Sequence, residues 1–259
     1  MAYCYITIPL IENTLERIRL YVHVSQVALT LNLISQSNSL LKMAISQLLE
    51  LQSEAGREEQ VSRILQQIVG FMFVMPDDPE NEFLFLFNGL MNAFEMIRFT
   101  DKTAAAYKLR FYSDCLSYLN AQVQERLPFH IEGVDSNDFL FKTKDFRKAV
   151  LDKLLDLFGK LEDVVAALEK ATPGDLEADK LLFSSMLYSI SMTVNTLQCT
   201  PRLETLLCRL AELVSKCSDR LSRDRGGKQL VAEKRFLIQE LHKQLSDDEY
   251  ASVKLVVKS

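Results

Sequence analysis

The sequence predicts an all-α fold, a HEAT- or armadillo-like α-solenoid of antiparallel helix pairs. Apolar residues recur at steps of three and four along most of the chain, which is the helical period. Only 8 Gly and 6 Pro occur in 259 residues, so the many turns of an all-β fold lack their usual residues. The helical segments are too numerous to share one bundle core, whereas stacked pairs need only their neighbours.

Three segments carry the clearest helical stripes. Their apolar residues are Val61, Ile64, Leu65, Ile68, Val69 and Met72 in the first, Phe146, Val150, Leu154, Leu157, Leu161, Val164 and Leu168 in the second, and Leu203, Leu206, Leu207, Leu210, Leu213, Val214 and Cys217 in the third. Such steps place every member on one face of an α-helix. Each segment is therefore expected to bury that face against a neighbouring helix.

Helix-breaking residues separate the predicted helices. In chain order we expect helices over residues 10–22, 24–35, 37–53, 57–74, 80–98, 103–126, 143–170, 175–198, 202–218, 228–244 and 247–256. Pro76 and Pro79 flank one break, Gly226-Gly227 forms another, and a long loop covers 127–142. We expect residues 1–259 to be a single α-solenoid segment. Because an apolar aromatic stretch follows Met1 directly, we expect the segment to come from a longer protein.

Residues 82–99 are apolar on nearly every helical face. A helix of that kind is buried on all sides. Two explanations compete: a central solenoid helix enclosed by its neighbours, which the sequence favours, or a helix that keeps part of its surface for a partner protein.

The charge balance argues against nucleic acid as a partner. The formal net charge is −5 and the pI about 5.4, whereas binding to phosphates needs a basic surface. Basic residues do cluster between Arg220 and Arg235, but Asp219, Asp224 and Glu233 interrupt them. A solvated turn and helix face is the simpler explanation.

The five cysteines are scattered and odd in number, so they predict no disulfide framework. Cys208 and Cys217 fall on predicted core faces, where a free thiol behaves as a small hydrophobic group. Neither a secretory leader nor an uninterrupted apolar run of membrane-spanning length is visible. We therefore expect a cytoplasmic protein in a reducing compartment.

No catalytic or metal-binding motif emerges. The histidines His23, His130 and His242 lie far apart, and no zinc, phosphate-loop or nucleophile-elbow spacing occurs. His23 is expected to be a buried, hydrogen-bonded core residue. We expect no catalytic residue, no metal and no cofactor. A competing hypothesis is an all-α enzyme or ligand-binding protein whose apolar pocket is lined by His23, Cys115 or Tyr112.

The long loop carries a cluster of short polar side chains followed by aromatic residues. Such side chains hydrogen-bond to nearby backbone and order a loop. An ordered loop could also present its aromatic residues to a neighbour. The candidate partner-contact or structural-loop residues are Pro76, Asp77, Asp78, Pro79, His130, Asp135, Ser136, Asn137, Asp138, Phe139 and Phe141.

Four segments give the chain a family resemblance. They are Tyr3-Cys4-Tyr5-Ile6-Thr7-Ile8-Pro9, Ser25-Gln26-Val27-Ala28-Leu29, Val74-Met75-Pro76-Asp77-Asp78-Pro79-Glu80 and Val134-Asp135-Ser136-Asn137-Asp138. In this order they resemble the C-terminal region of the vacuolar-protein-sorting-thirty-five-like family, large subunits of the retriever complex related to the retromer scaffold. The resemblance covers about Tyr3 to Asp138, and it departs from the family at Phe139-Leu140-Phe141-Lys142 and in the shorter segment 52–59.

The resemblance implies a non-catalytic scaffold. In this family the C-terminal part of a HEAT-like solenoid holds a small metallophosphoesterase-fold subunit, and the N-terminal part carries an arrestin-like subunit. A coiled-coil complex joins them to form the Commander assembly, which returns membrane-protein cargo from endosomes to the cell surface. The expected location is thus cytoplasmic and endosome-associated. A helical-repeat adaptor of an unrelated pathway is the alternative.

Overall fold

The protein is described by a computed structural model that covers residues 2–51, 57–76, 82–99, 104–123, 144–171, 175–196 and 201–244. Within these ranges the regular structure is helical and contains no strand. The α-helices are α1 (Ala2–Thr7), α2 (Thr14–Thr30), α3 (Ile34–Leu48), α4 (Glu58–Met72), α5 (Phe85–Met96), α6 (Ala104–Val123), α7 (Lys144–Ala171), α8 (Leu176–Thr196), α9 (Pro201–Leu221), α10 (Arg225–Glu233) and α11 (Arg235–Gln244). A 3-10 turn, Ile8–Leu10, follows α1.

The chain divides into two compact units. The first comprises residues 1–107 and 124–150, and the second comprises 108–123 and 151–259. Within each unit the helices pack mainly on their sequence neighbours and on the helix after next. This is the packing expected of the predicted α-solenoid, and it confirms the fold class.

In the first unit, side-chain contacts fix the direction of neighbouring helices. Ser25 meets Ser37 and Arg17 meets Glu50, so contacts move backwards along α2 as they move forwards along α3 and the residues just after it. The two helices are therefore antiparallel. Asn13 caps α2 by accepting hydrogen bonds from two backbone N–H groups of its first turn.

The helices α3 and α5 run in the same direction. The Lys42 ammonium lies 4.7 Å from the centroid of the Phe85 ring, and a Cβ at Gly89 would lie 3.7 Å from Ile45 Cγ2. Contacts thus advance together along both helices. Antiparallel neighbours with parallel next neighbours are what stacked helix pairs require.

The second unit repeats this arrangement. Arg209 approaches Glu162 at 3.3 Å and Arg220 approaches Glu169 at 3.6 Å, so α7 and α9 are parallel. Asp179, at the start of α8, binds Arg220, at the end of α9. This contact is the one expected if α8 runs against α9.

The predicted break near residue 23 is wrong. Residues 14–30 form one helix, and the chain turns at 31–33 instead, where Asn32 adopts a left-handed conformation with φ 57°. No glycine or proline marks this turn, so the sequence offered no conventional signal. Asparagine tolerates positive φ better than most residues, which is the physical reason for the turn here.

The helix predicted over 80–98 is shorter and less buried than expected. Glu82 and Phe83 are not helical, and α5 begins at Phe85 after Leu84, which has φ 60°. Met96 is 71% exposed, so burial on all sides is wrong. The exposed or half-exposed residues Asn88, Asn92, Glu95 and Met96 follow one helical stripe.

The Gly226-Gly227 pair begins a helix rather than breaking one. Asp224 caps α10 by accepting hydrogen bonds from the Gly226 and Gly227 N–H groups at 2.8 and 3.1 Å. Gly227 is buried, and a Cβ there would collide with the backbone carbonyl oxygen of Leu221. The corner between α9 and α10 therefore depends on glycine.

Candidate partner-contact site

A buried polar cluster fixes the start of α3 in the first unit. Ser25 Oγ donates to the Ser37 carbonyl at 2.6 Å, and Ser37 Oγ lies 2.8 Å from the Ser25 carbonyl and 3.4 Å from Met75 Sδ. Both serines are fully buried. Buried hydroxyls need such partners, and these contacts hold α2, α3 and the chain beyond α4 in one register.

The N-terminal helix joins the same cluster. The Tyr5 hydroxyl donates to the Gln36 carbonyl at 3.3 Å, one residue before Ser37. Burial raises the pKa of Tyr5, and the nearby Cys4 raises it further, while a hydrogen bond with Ser39 opposes both. Tyr5, Ser25 and Met75 each belong to a different one of the resembling segments, and the fold brings all three to the start of α3.

Pro76 follows directly from this cluster and is buried. The other ten predicted partner-contact or loop residues lie outside the described residues: Asp77, Asp78, Pro79, His130, Asp135, Ser136, Asn137, Asp138, Phe139 and Phe141. The residues that follow these two stretches do meet. The Phe83 and Phe146 rings contact each other edge to face, with centroids 5.4 Å apart.

A second polar cluster lies in the second unit. Arg220 donates two hydrogen bonds to Asp179 Oδ1, from Nη2 at 2.6 Å and from Nε at 3.0 Å, and Nε also lies 2.8 Å from Oδ2. Its Nη2 is 3.6 Å from Glu169. The Asp179 side chain is only 9% exposed, so this ion pair ties α7, α8 and α9 together around a carboxylate that is largely removed from water.

Two of the four described thiols are enclosed by the fold. Cys115 and Cys217 are buried, and burial raises the pKa of both, to about 11 for Cys217. Cys208 is half-buried, so only Cys217 of the two predicted core thiols is fully buried. A protonated, enclosed thiol is a poor nucleophile.

The competing hypothesis of an enzymatic pocket loses His23 as a lining residue. His23 is exposed, so its predicted burial is wrong: it lies on the outward stripe of α2 between Leu20 and Val27. A cavity of about 410 Å³ does open beside the α2 N-terminus. Its lining residues are Glu12, Asn13, Thr14, Leu15, Glu50, Leu51, Arg57 and Val61, and none belongs to the predicted pocket.

The described part of the chain lacks both a metal-binding cluster and a membrane-spanning helix. Across these seven ranges, no group of three or more His, Cys, Asp or Glu residues could hold a metal ion. Among the helices described above, none combines the length and apolar character needed to cross a bilayer.

Sequence reasoning missed the residues that organise both clusters. Ser37 carried a signal, because it stands in the buried stripe that continues through Leu40, Leu41 and Ala44. A serine at a core position implies a hydrogen-bond partner. Arg220 carried none, because its partner Asp179 is 41 residues away.

Helices that stack on their sequence neighbours, held by internal polar contacts, define a helical-repeat scaffold. The family of the VPS35L C-terminal domain matches residues 1–229. The chain belongs to this family.

Curated relatives agree. The human protein named VPS35 endosomal protein-sorting factor-like is 34% identical over 148 residues, and the zebrafish protein of that name is 34% identical over 175 residues. The matches cover 54% and 64% of this chain. A Dictyostelium discoideum relative, VPS35 endosomal protein sorting factor-like, is 31% identical over 147 residues, again 54% of the chain. The matched segment spans only 15–18% of these relatives' own lengths.

Proposed function

We propose that this chain is a non-catalytic scaffold of endosomal protein sorting. Membership of the VPS35L C-terminal domain family and the names of the relatives carry the proposal. A scaffold of this class works by geometry: helices fixed by internal contacts hold a rigid surface for other proteins. The two polar clusters supply such rigidity in each unit. The scaffold would associate with endosomal membranes peripherally, through its complex.

The proposed direct partner is a small metallophosphoesterase-fold sorting subunit. Its contact residues would be the predicted candidates at 76–79, 130, 135–139 and 141, with Phe139 and Phe141 as the apolar anchors. Aromatic anchors commonly dominate binding energy at interfaces. The support is geometric: Pro76 is buried directly after Met75 of the serine cluster, and Phe83 and Phe146, which follow the candidate residues along the chain, are in contact.

The arrestin-like subunit and the coiled-coil Commander subunits would join through the rest of the assembly. Together the complex would return membrane-protein cargo to the cell surface. A helical-repeat adaptor of another pathway would share the fold and would fail to bind the small subunit. Partner binding therefore separates the two functions.

The test is binding of the purified small subunit to the full chain by calorimetry. Wild-type chain is expected to bind, and the double variant Phe139→Asp/Phe141→Asp is expected to bind at least about tenfold more weakly, the effect of losing about 1.4 kcal/mol. A stable interface of this kind buries about 1,200–2,000 Å² in total.

The matched control is Leu31→Asp/Leu49→Asp. These leucines are 61% and 57% exposed, so the same change in charge should leave the fold and the affinity unaltered. Equal binding by both double variants would exclude Phe139 and Phe141 from the interface. No binding by folded wild-type chain would exclude the proposed partner.

A further inference from the structure

A shallow groove lies between the parallel helices α3 and α5 of the first unit. Ile45 forms its floor, because this side chain is buried and faces Gly89. Lys42 stands at one end of the groove, over the Phe85 ring. The exposed Asn92 lies two helical turns after Phe85 and borders the groove on α5. We call the surface made by Lys42, Ile45, Gly89 and Asn92 the α3–α5 groove.

Gly89 is not required by the packing of its own unit. It lies inside α5 and is half-exposed, and a Cβ there would lie 3.7 Å from Ile45 Cγ2, which is an ordinary contact. Alanine would therefore fit at this position, and it would favour the helix more, because glycine has the lower helix propensity. The close approach of another chain explains a helical glycine that the fold itself does not need.

We propose that the α3–α5 groove binds an extended, acidic peptide segment of another protein. The spacing of Asn88 and Asn92 argues for an extended segment. The two residues are one turn apart on α5, about 6 Å along the helix axis, and alternate residues of an extended chain are about 6.6 Å apart. Each amide can thus pair with the backbone of an alternate peptide residue, whereas the backbone groups inside a helical partner are already paired.

Asn88 also has an unsatisfied atom. Its Oδ1 is buried and has no hydrogen-bond partner in the described part of the chain. A buried acceptor of this kind is destabilising. Rotation of the side chain toward a peptide N–H would satisfy it, so binding of a peptide backbone removes a cost that the free protein carries.

Lys42 selects an acidic side chain. Its ammonium lies 4.7 Å from the Phe85 ring centroid, which holds the charge at the end of the groove. Among the residues that the structure describes, no carboxylate forms an ion pair with Lys42, so an Asp or Glu of the peptide would be its partner. Met96 is 71% exposed on the same face of α5, about 16 Å from Phe85, a distance that about five extended residues span. An apolar peptide residue would contact it there.

A positional-scanning library of nonapeptides, applied to the purified full chain, tests the chemistry of the occupant. We expect selection of Asp or Glu at one position and of an apolar residue about five positions away. Fluorescence anisotropy then measures the Kd of the best peptide. Lys42→Glu should weaken its binding at least about tenfold and should change the selected acidic residue to Lys or Arg. A library without acidic selection, or the same selection by Lys42→Glu, would overturn the proposal.

Gly89→Leu tests the close approach. The new side chain would fill the groove, so we expect a melting temperature no lower than that of wild type and binding of the selected peptide at least about tenfold weaker. Gly70→Leu is the matched control: Gly70 lies on α4, where an added Cβ has no atom within 4 Å, and its variant should bind as wild type does. Equal affinities of the two variants would contradict the assignment.

Gly89→Ala keeps the test decisive if Gly89→Leu does not fold, because a methyl group fits beside Ile45. It should raise the melting temperature and still weaken peptide binding about threefold. Unchanged binding by a folded Gly89→Ala chain would then overturn the proposal. The small sorting subunit takes no part in these measurements, so this proposal and the proposed function fail separately.

Discussion

At the scale of single residues, the ion pair of Asp179 and Arg220 matters most for stability. The carboxylate is largely removed from water and has Arg220 as its closest cation. Removing the guanidinium would leave a buried negative charge, whose desolvation is costly. Replacing both partners by apolar residues would avoid that cost. The pair is thus expected to add little net stability relative to two apolar residues, whereas removal of only one partner should be strongly destabilising.

We therefore expect Arg220→Met to lower the free energy of unfolding by about 2–3 kcal/mol, less than for a fully buried pair because the Arg220 side chain is 37% exposed. Urea denaturation measures the change. The double variant Asp179→Leu/Arg220→Met should recover most of the loss. Arg63→Met is the control, since its partner Glu59 is half-exposed and should contribute less than about 0.5 kcal/mol. A double variant as unstable as the single one would contradict this account.

The buried thiols give a pH-dependent prediction. Cys115 and Cys217 should react with iodoacetamide at pH 8 on the order of a hundredfold more slowly than the half-exposed Cys4, because burial raises the pKa of both. Mass spectrometry of each cysteine peptide measures this. For Cys217 the folded pKa of about 11 lies above the ordinary 9.0. Its contribution to stability is therefore complete below about pH 9 and is lost as the pH rises through about 11. Equal labelling of Cys4 and Cys217 would refute the enclosure.

At the scale of helices, apolar periodicity predicted well where the helices lie in the sequence, and it predicted less well which of their faces are buried. The stripe predicted on α9 is correct: apolar residues three or four positions apart are buried against neighbouring helices, as Leu203, Leu207 and Leu210 show. For α5 the composition was misleading. Counting apolar residues hid the stripe of Asn88, Asn92 and Glu95, which marks the solvent side. The position of polar residues was more informative than the number of apolar ones.

Leu207→Asp should lower the free energy of unfolding by several kcal/mol, about 4 or more, because Leu207 is fully buried on α9 and the new carboxylate has no partner there. A thermal melt followed by circular dichroism measures the loss. Lys216→Asp, on the exposed side of the same helix, should change stability far less. An unchanged melting temperature in Leu207→Asp would mean that the stripe is misassigned.

The turn between α2 and α3 is tested at Asn32. Its side chain is exposed and its φ is 57°, so the residue acts through the backbone. Asn32→Ala should lower the free energy of unfolding by about 1 kcal/mol, whereas Asn32→Gly should stay within about 0.5 kcal/mol of wild type. Urea denaturation of both variants decides the matter. If alanine is as stable as glycine, the left-handed turn at this position is wrong.

At the scale of the whole molecule, the fold class and the family were predictable from sequence, and the contacts that organise each unit were not. Helical spacing is a local property and is visible in any window of about fifteen residues. The family segments are short, yet Tyr5, Ser25 and Met75 converge on one place in the fold. That convergence depends on pairings 12 to 38 residues apart, which a single sequence does not encode visibly.

At the candidate contact site, too, the sequence pointed to individual residues but not to the contacts between distant segments. Pro76 is buried directly after Met75, and its role as a partner-contact or structural-loop residue stays a prediction. The contact between Phe83 and Phe146 joins segments 63 residues apart along the chain and could not be anticipated. The sequence therefore proposes which residues to test, and the fold adds that Phe83 and Phe146, which follow them along the chain, are in contact.

The corner at Gly227 restricts which substitutions evolution can accept. Every side chain larger than a hydrogen atom would strike Leu221 there, so accommodating one means opening the bend and swinging α10 and α11 to a new angle. An orthologue with another amino acid at the equivalent site is consequently expected to place the counterparts of α10 and α11 at a different angle to α9. The identity of this one residue thus offers a simple way to sort homologues by the geometry of this corner.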